Sequence, residues 1–115
     1  MSNFTTFTDL PLSAATLRAV SDLGFTELTP IQAKILPHTL ANQDAIGQAQ
    51  TGTGKTATFL LTIMEALLKR PFAADEERHL GEPRAVVMAP TRELAQQIFD
   101  DCIALTKYTA LHSVC

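Results

Sequence analysis

Cysteine is scarce in this chain. Only Cys102 and Cys115 occur, and neither belongs to a Cys-x-x-Cys pattern. A disulfide framework and a thiolate metal site are therefore excluded as organising principles, and both residues read as reduced thiols. A basic surplus is also missing. Nine Lys and Arg stand against twelve Asp and Glu, for a net charge of −3. That balance argues against a protein that coats nucleic acid by bulk charge, while leaving room for a local phosphate site. No apolar run approaches the length of a membrane span, and Met1 to Asp9 carries neither the basic start nor the apolar stretch of a signal peptide. The expected location is cytoplasmic, with no membrane partner. His38, His79 and His112 lack metal-ligand spacing, and there is no internal repeat or low-complexity tract.

What is present is apolar content. With 46% hydrophobic residues over 115 positions, the chain has enough for one globular unit and too little length for two. Ser13 can cap a helix that carries Leu17, Val20 and Leu23 on one face and ends at Gly24. Thr29 followed by Pro30 reads as the N-cap and first position of a second helix, burying Ile31, Ile35 and Leu36. Pro37 falls inside that pattern, where a kink or break is expected. Asp44 to Gln48 is a short strand candidate, Thr51 to Gly54 a loop, and Lys55 to Lys69 a helix with Phe59, Leu60, Ile63 and Leu67 at helical spacing. Arg70 to Arg84 is polar and reads as a solvated connection, its run Asp75, Glu76 and Glu77 included. Ala85 to Ala89 is a continuous apolar run suited to a buried parallel strand. Thr91 opens a last helix with Leu94, Ile98, Cys102 and Leu105 along one stripe, and Leu111 to Cys115 starts another strand. This order of strand, glycine loop, helix and strand predicts an α/β fold with a parallel sheet and flanking helices.

The segment Ala49-Gln50-Thr51-Gly52-Thr53-Gly54-Lys55-Thr56 fits the P-loop pattern at every place but the first, where Ala49 replaces glycine. Gly52 and Gly54 let the backbone approach an anion closely. Successive N–H groups, those of Gln50, Thr51 and Thr53 among them, then form a concave nest to which the next helix adds its positive end. Lys55 can reach the terminal phosphates and Thr56 can offer a hydroxyl to Mg²⁺. Gly-Lys-Thr alone would fit a tight turn with a surface lysine. The full octet between a strand and an amphipathic helix points to a nucleotide instead. It does not separate a helicase from another P-loop NTPase such as a kinase or GTPase.

Two flanking segments make that separation. Residues 24–32, Gly-Phe-Thr-Glu-Leu-Thr-Pro-Ile-Gln, resemble the Q motif of DEAD-box RNA helicases, with Leu28 where many such motifs have proline. Ala49 at the P-loop start is that family's own variant, and residues 90–95, Pro-Thr-Arg-Glu-Leu-Ala, are similar to its motif Ia. The three motifs stand in family order, and the P-loop details are similar to bacterial members of the degradosome-associated kind. The resemblance implies a RecA-like P-loop domain that binds ATP and Mg²⁺ and contacts RNA without sequence preference. Protein partners of an RNA-processing complex are a further implication. Gln32 would read the adenine edge, because an amide offers a donor and an acceptor together. Phe25 would pack on the base or brace the loop, and Phe7 would either do the same or serve the core. Pro90, Thr91 and Arg92 would touch the RNA backbone. Taken alone, Gln32 would be a solvated helix residue and Arg92 half of a surface ion pair.

Residues 1–115 hold no Asp-Glu-Ala-Asp stretch, no Ser-Ala-Thr stretch and no second RecA-like domain with arginine fingers. The family's sheet is expected to place later strands between the P-loop strand and Ala85 to Ala89. The chain therefore reads as an incomplete first domain that binds nucleotide at most. A non-catalytic nucleotide-binding module is the other reading of such a piece.

Overall fold

The computed structural model describes residues 5–48, 54–70 and 83–115. Among these residues four helices carry the architecture, α1 (Ala14–Asp22), α2 (Pro30–Thr39), α3 (Lys55–Lys69) and α4 (Arg92–Thr106), preceded by a 3-10 turn at Phe7–Asp9. Three of the helices begin on a hydroxyl. Ser13, Thr29 and Thr91 accept from the backbone N–H of Thr16, Gln32 and Leu94 respectively, each satisfying a first-turn donor that would otherwise lack a partner. Pro30 occupies the first turn of α2, where its missing N–H costs nothing. Pro37 neither breaks nor ends that helix, which continues to Thr39. Gly24 takes a φ of +80° just past the end of α1, the left-handed turn that glycine adopts without strain.

Helix α3 packs against α2 on one side and α4 on the other, and α1 closes on α4. Leu36, Leu61 and Leu105 meet in the centre with almost no solvent contact, and burial of each such side chain contributes roughly 1.5–3 kcal/mol. Polar clasps fix the packing. The buried Glu65 of α3 accepts from Ser13 N–H at 3.1 Å and from its hydroxyl at 3.0 Å, so the cap of α1 is tied to α3. At the far corner, Asp22 takes a hydrogen bond from the Tyr108 hydroxyl and pairs with Lys107 at 2.9 Å. The Tyr108 hydroxyl and the Lys107 ammonium hold the Asp22 carboxyl below its usual range.

The expected sheet does not form among the described residues. Segments 44–48, 85–89 and 111–115 adopt no strand, and the one β pairing among the described residues is an isolated antiparallel bridge between Thr6 and Glu27. A parallel strand exists through its ladder to a neighbour, and none of these three runs has a described neighbour to pair with. The apolar run at 85–89 consequently faces solvent, with Val86 73% and Met88 89% exposed. The helical stripes also shift from expectation. Leu60 is buried, while Phe59, Ile63 and Leu67 are only half-buried, and Leu61 and Met64 take the central places. Leu23 and Leu94, expected inside, are exposed.

Candidate functional site

Residues 5–10 run beside residues 25–28 and build one wall of the site. Leu28 N–H donates to Thr5 O at 2.9 Å, and the Asp9 carboxylate accepts from the N–H groups of Thr5 and Thr6, both at 3.0 Å. Those backbone donors hold the Asp9 carboxyl below its ordinary value. The turn so fixed buries Phe7 to 3% exposure and stacks it on Phe25, with ring centroids 6.2 Å apart and planes 21° from parallel. Phe7 is thus a core residue that supports Phe25. Phe25 itself keeps 42% of its surface open. Asp9 was not legible as a site residue from sequence, although a Thr followed three places later by an acid is a capping pattern.

The second wall is the start of α2 against the start of α3. Gln32 is only 3% exposed, against the solvated position that its sequence context alone suggests. Its Oε1 accepts from Thr29 N–H at 2.9 Å, and its Nε2 donates to Gly54 O at 3.3 Å. The first of these is the return half of a capping box with Thr29. It fixes which end of the amide accepts and which donates. Each amide end has two hydrogen-bonding positions, so one lone pair and one hydrogen remain available to a ligand.

Gln32 approaches Gly54 closely because glycine carries no Cβ. The φ of Gly54 is +86°, and a Cβ there would lie 2.5 Å from Gln32 Nε2 and 3.3 Å from Thr29 Oγ1. No side chain among the described residues caps the helix that Gly54 opens, so no side-chain cap takes up its first-turn N–H groups there. Lys55 and Thr56 follow on the first turn, both half-buried. Phe25, Gln32, Gly54, Lys55 and Thr56 all line one cavity of about 1070 Å³, whose far wall is Leu94, Ile98 and Leu105 of α4. Ala49, Gln50, Thr51, Gly52 and Thr53 of the glycine loop lie outside the described residues, as do Asp75, Glu76 and Glu77.

The third motif stands apart. Pro90, Thr91 and Arg92 are exposed and do not line that cavity. The Thr91 hydroxyl accepts from Leu94 N–H at 3.1 Å, so it already serves as a cap. Arg92 forms no ion pair among the described residues, where the one salt bridge joins Lys107 to Asp22.

Comparison with known proteins gives a consistent picture. The family model described as DEAD/DEAH box helicase matches residues 29–115. The ATP-dependent RNA helicase RhlB of Pseudomonas aeruginosa (strain UCBPP-PA14) is 56% identical over 108 residues, covering 94% of this chain and 27% of that protein. Among solved structures, the RNA-helicase Prp28 from Chaetomium thermophilum bound to ADP superposes with a TM-score of 0.77 at 36% identity, covering 90% of this chain and 24% of that one. A DEAD box protein from the hyperthermophile Methanococcus jannaschii gives 0.73 at 34% identity, covering 89% and 26%. The chain therefore spans about a quarter of the length of the relatives it matches.

Proposed function

This chain belongs to the DEAD/DEAH box helicase family, and from that premise we propose that it forms the ATP-binding portion of an ATP-dependent RNA helicase. The observation that carries the reading is the position of Gln32. It is buried, its amide orientation is fixed by Thr29, and it bridges at 3.3 Å to the glycine that opens α3. A base reader and a phosphate-binding helix start are thereby joined in one cavity. Phe25 offers an exposed ring face to a base, and Lys55 offers a cation to phosphates. Thr56 is a half-buried hydroxyl in the same cavity and suits a hard cation such as Mg²⁺, which takes oxygen ligands. When bound, ATP with Mg²⁺ supplies the phosphoryl group whose transfer drives the cycle. The residues of this chain would hold and orient it, with the P-loop pattern adding Gln50, Thr51, Gly52 and Thr53 to that role.

RNA enters the proposal through Pro90, Thr91 and Arg92. These three are exposed on a face that the nucleotide cavity does not use, so RNA and ATP would bind side by side. Such contacts read backbone and not bases. The 56% identical relative is an RNA helicase by name, which favours this reading over a kinase or GTPase. Residues 1–115 by themselves are proposed to bind nucleotide without unwinding RNA, because transfer to water needs groups that orient the water and neutralise charge on both sides of the phosphate.

Base selectivity provides the test. Adenine presents a donor and an acceptor on its exposed edge, whereas guanine presents two acceptors, one of which would face an Oε1 that cannot donate. Mispairing a buried polar group costs about 1–3 kcal/mol. In the full-length gene product, unlabelled ATP should displace labelled ATP at least several-fold more effectively than GTP does, and Gln32→Ala should narrow the gap. Equal competition by GTP against wild type would overturn the proposal.

A further inference from the structure

We propose that Thr58 is a positioning residue of the phosphate cradle, acting through the carbonyl of Gly54. The inference rests on the reading of Gly54 and Lys55 as part of a nucleotide site. Thr58 belongs to none of the three motifs. Its hydroxyl nevertheless donates to Gly54 O at 2.9 Å, and its own N–H donates to the same oxygen at 3.1 Å. Gln32 Nε2 is a third donor at 3.3 Å. Gly54 O therefore gathers three donors, of which the Thr58 hydroxyl is the closest. Thr58 is buried at 6% exposure, so water does not compete for that bond.

The consequence follows from peptide planarity. Gly54 O and Lys55 N–H belong to one rigid peptide unit, so fixing the direction of the oxygen fixes the direction of the N–H. That N–H is a first-turn donor with no side-chain cap and is one of the groups that would meet a phosphate. The unit follows a glycine at φ +86°, a residue with unusual freedom to rotate. Anchoring is needed there more than elsewhere. Of the two side-chain anchors, Gln32 also serves the base and the α2 cap. Thr58 has no other described task for its hydroxyl.

The chain contains its own control. Thr62 repeats the bond one turn later, donating to Thr58 O at 3.0 Å, but that carbonyl lies in the helix interior and its peptide N–H is not a first-turn group. Removing the Thr62 hydroxyl deletes the same kind of bond, and with it a 2.7 Å pairing to the Thr39 hydroxyl of α2, but leaves the donors to Gly54 O in place.

The experiment measures ATP and ADP affinity, RNA affinity and thermal melting in the full-length gene product. Thr58→Val should weaken both nucleotides about three- to tenfold, the effect of one lost hydrogen bond, with RNA affinity held. Thr58→Ser should restore binding, and Thr62→Val should leave it at the wild-type value. Should Thr58→Val not fold, Thr58→Ala against Thr58→Ser makes the same comparison. Wild-type nucleotide affinity in the hydroxyl-free variant would overturn the inference, as would equal weakening by Thr62→Val or failure of serine to rescue. A folded wild-type protein that binds no nucleotide would instead bring down the nucleotide-site reading, and this inference with it.

Discussion

Helices α3 and α4 are of equal length, each 15 residues, and each follows a segment expected to be a strand, yet they begin in opposite ways. Helix α4 starts on Thr91, whose hydroxyl turns back to Leu94 N–H, so part of its first turn is satisfied from within. Helix α3 starts on a left-handed glycine with no side-chain cap. Among the described residues no side chain takes up its first-turn donors. A glycine in place of a hydroxyl cap costs roughly a few tenths of a kcal/mol. At α3 that cost coincides with a buried glutamine, a lysine and a cavity, which is where a bound anion would recover it. At α4 the cap is kept and the adjoining arginine is unpaired among the described residues. The first arrangement suits a ligand that inserts into the helix end, and the second suits a ligand that lies across it.

The largest expected effect breaks the α3 side of this contrast. Lys55→Ala in the full-length protein should lower RNA-stimulated phosphate release by at least about 100-fold, the scale of removing one positioned charge from a transferring phosphoryl group. Lys55 is half-buried and makes no hydrogen bond or ion pair among the described residues, so the melting temperature should stay near that of wild type. Near-normal turnover by a folded variant would remove Lys55 from the site. Next in size is Gly54→Ala. The left-handed backbone costs an alanine about 1–2 kcal/mol, and the new Cβ would sit 2.5 Å from Gln32 Nε2, so the glutamine must move. Both melting temperature and adenine selectivity should fall. A variant that loses stability while keeping full preference for ATP over GTP would show that Gln32 reads the base without its tie to Gly54.

How far these features could be read from sequence depended on the range of the interaction. Helix starts were legible, because Ser13, Thr29 and Thr91 each cap within three residues, and the span of α3 from Lys55 to Lys69 is as its periodicity predicts. The buried face of α3 was not legible. Phe59, Leu60, Leu61, Ile63 and Met64 are apolar nearly all round the helix, so no period selects a face, and contact with α2 and α4 decides it. The run at 85–89 was read correctly as apolar, and it pairs into no strand among the described residues, since burial of a strand is a property of its neighbours. Gln32 shows the same limit within the site. Its residue type suggests solvent; the local capping box with Thr29 accounts for one end of its amide and the distant Gly54 for the other.

The smallest expected effects test the α4 side, where Thr91 and Arg92 are neighbours with different tasks. Arg92 is exposed and has no ion-pair partner among the described residues. Its removal should leave the melting temperature unchanged. If it meets an RNA phosphate, Arg92→Ala should weaken RNA binding across all sequences and shallow the salt dependence by about one unit of slope, because one fewer counterion is released. ATP affinity should hold, since Arg92 does not line the nucleotide cavity. Thr91→Ala should separate capping from charge. Loss of the bond to Leu94 N–H costs about 1 kcal/mol of helix stability, which lowers melting, while the salt slope for RNA stays as in wild type because no charge is removed. Titration of both variants with a short single-stranded RNA at several salt concentrations, beside thermal melts, separates the two roles. Should Arg92→Ala keep the wild-type slope, Arg92 would be removed from the proposed RNA contacts at the start of α4.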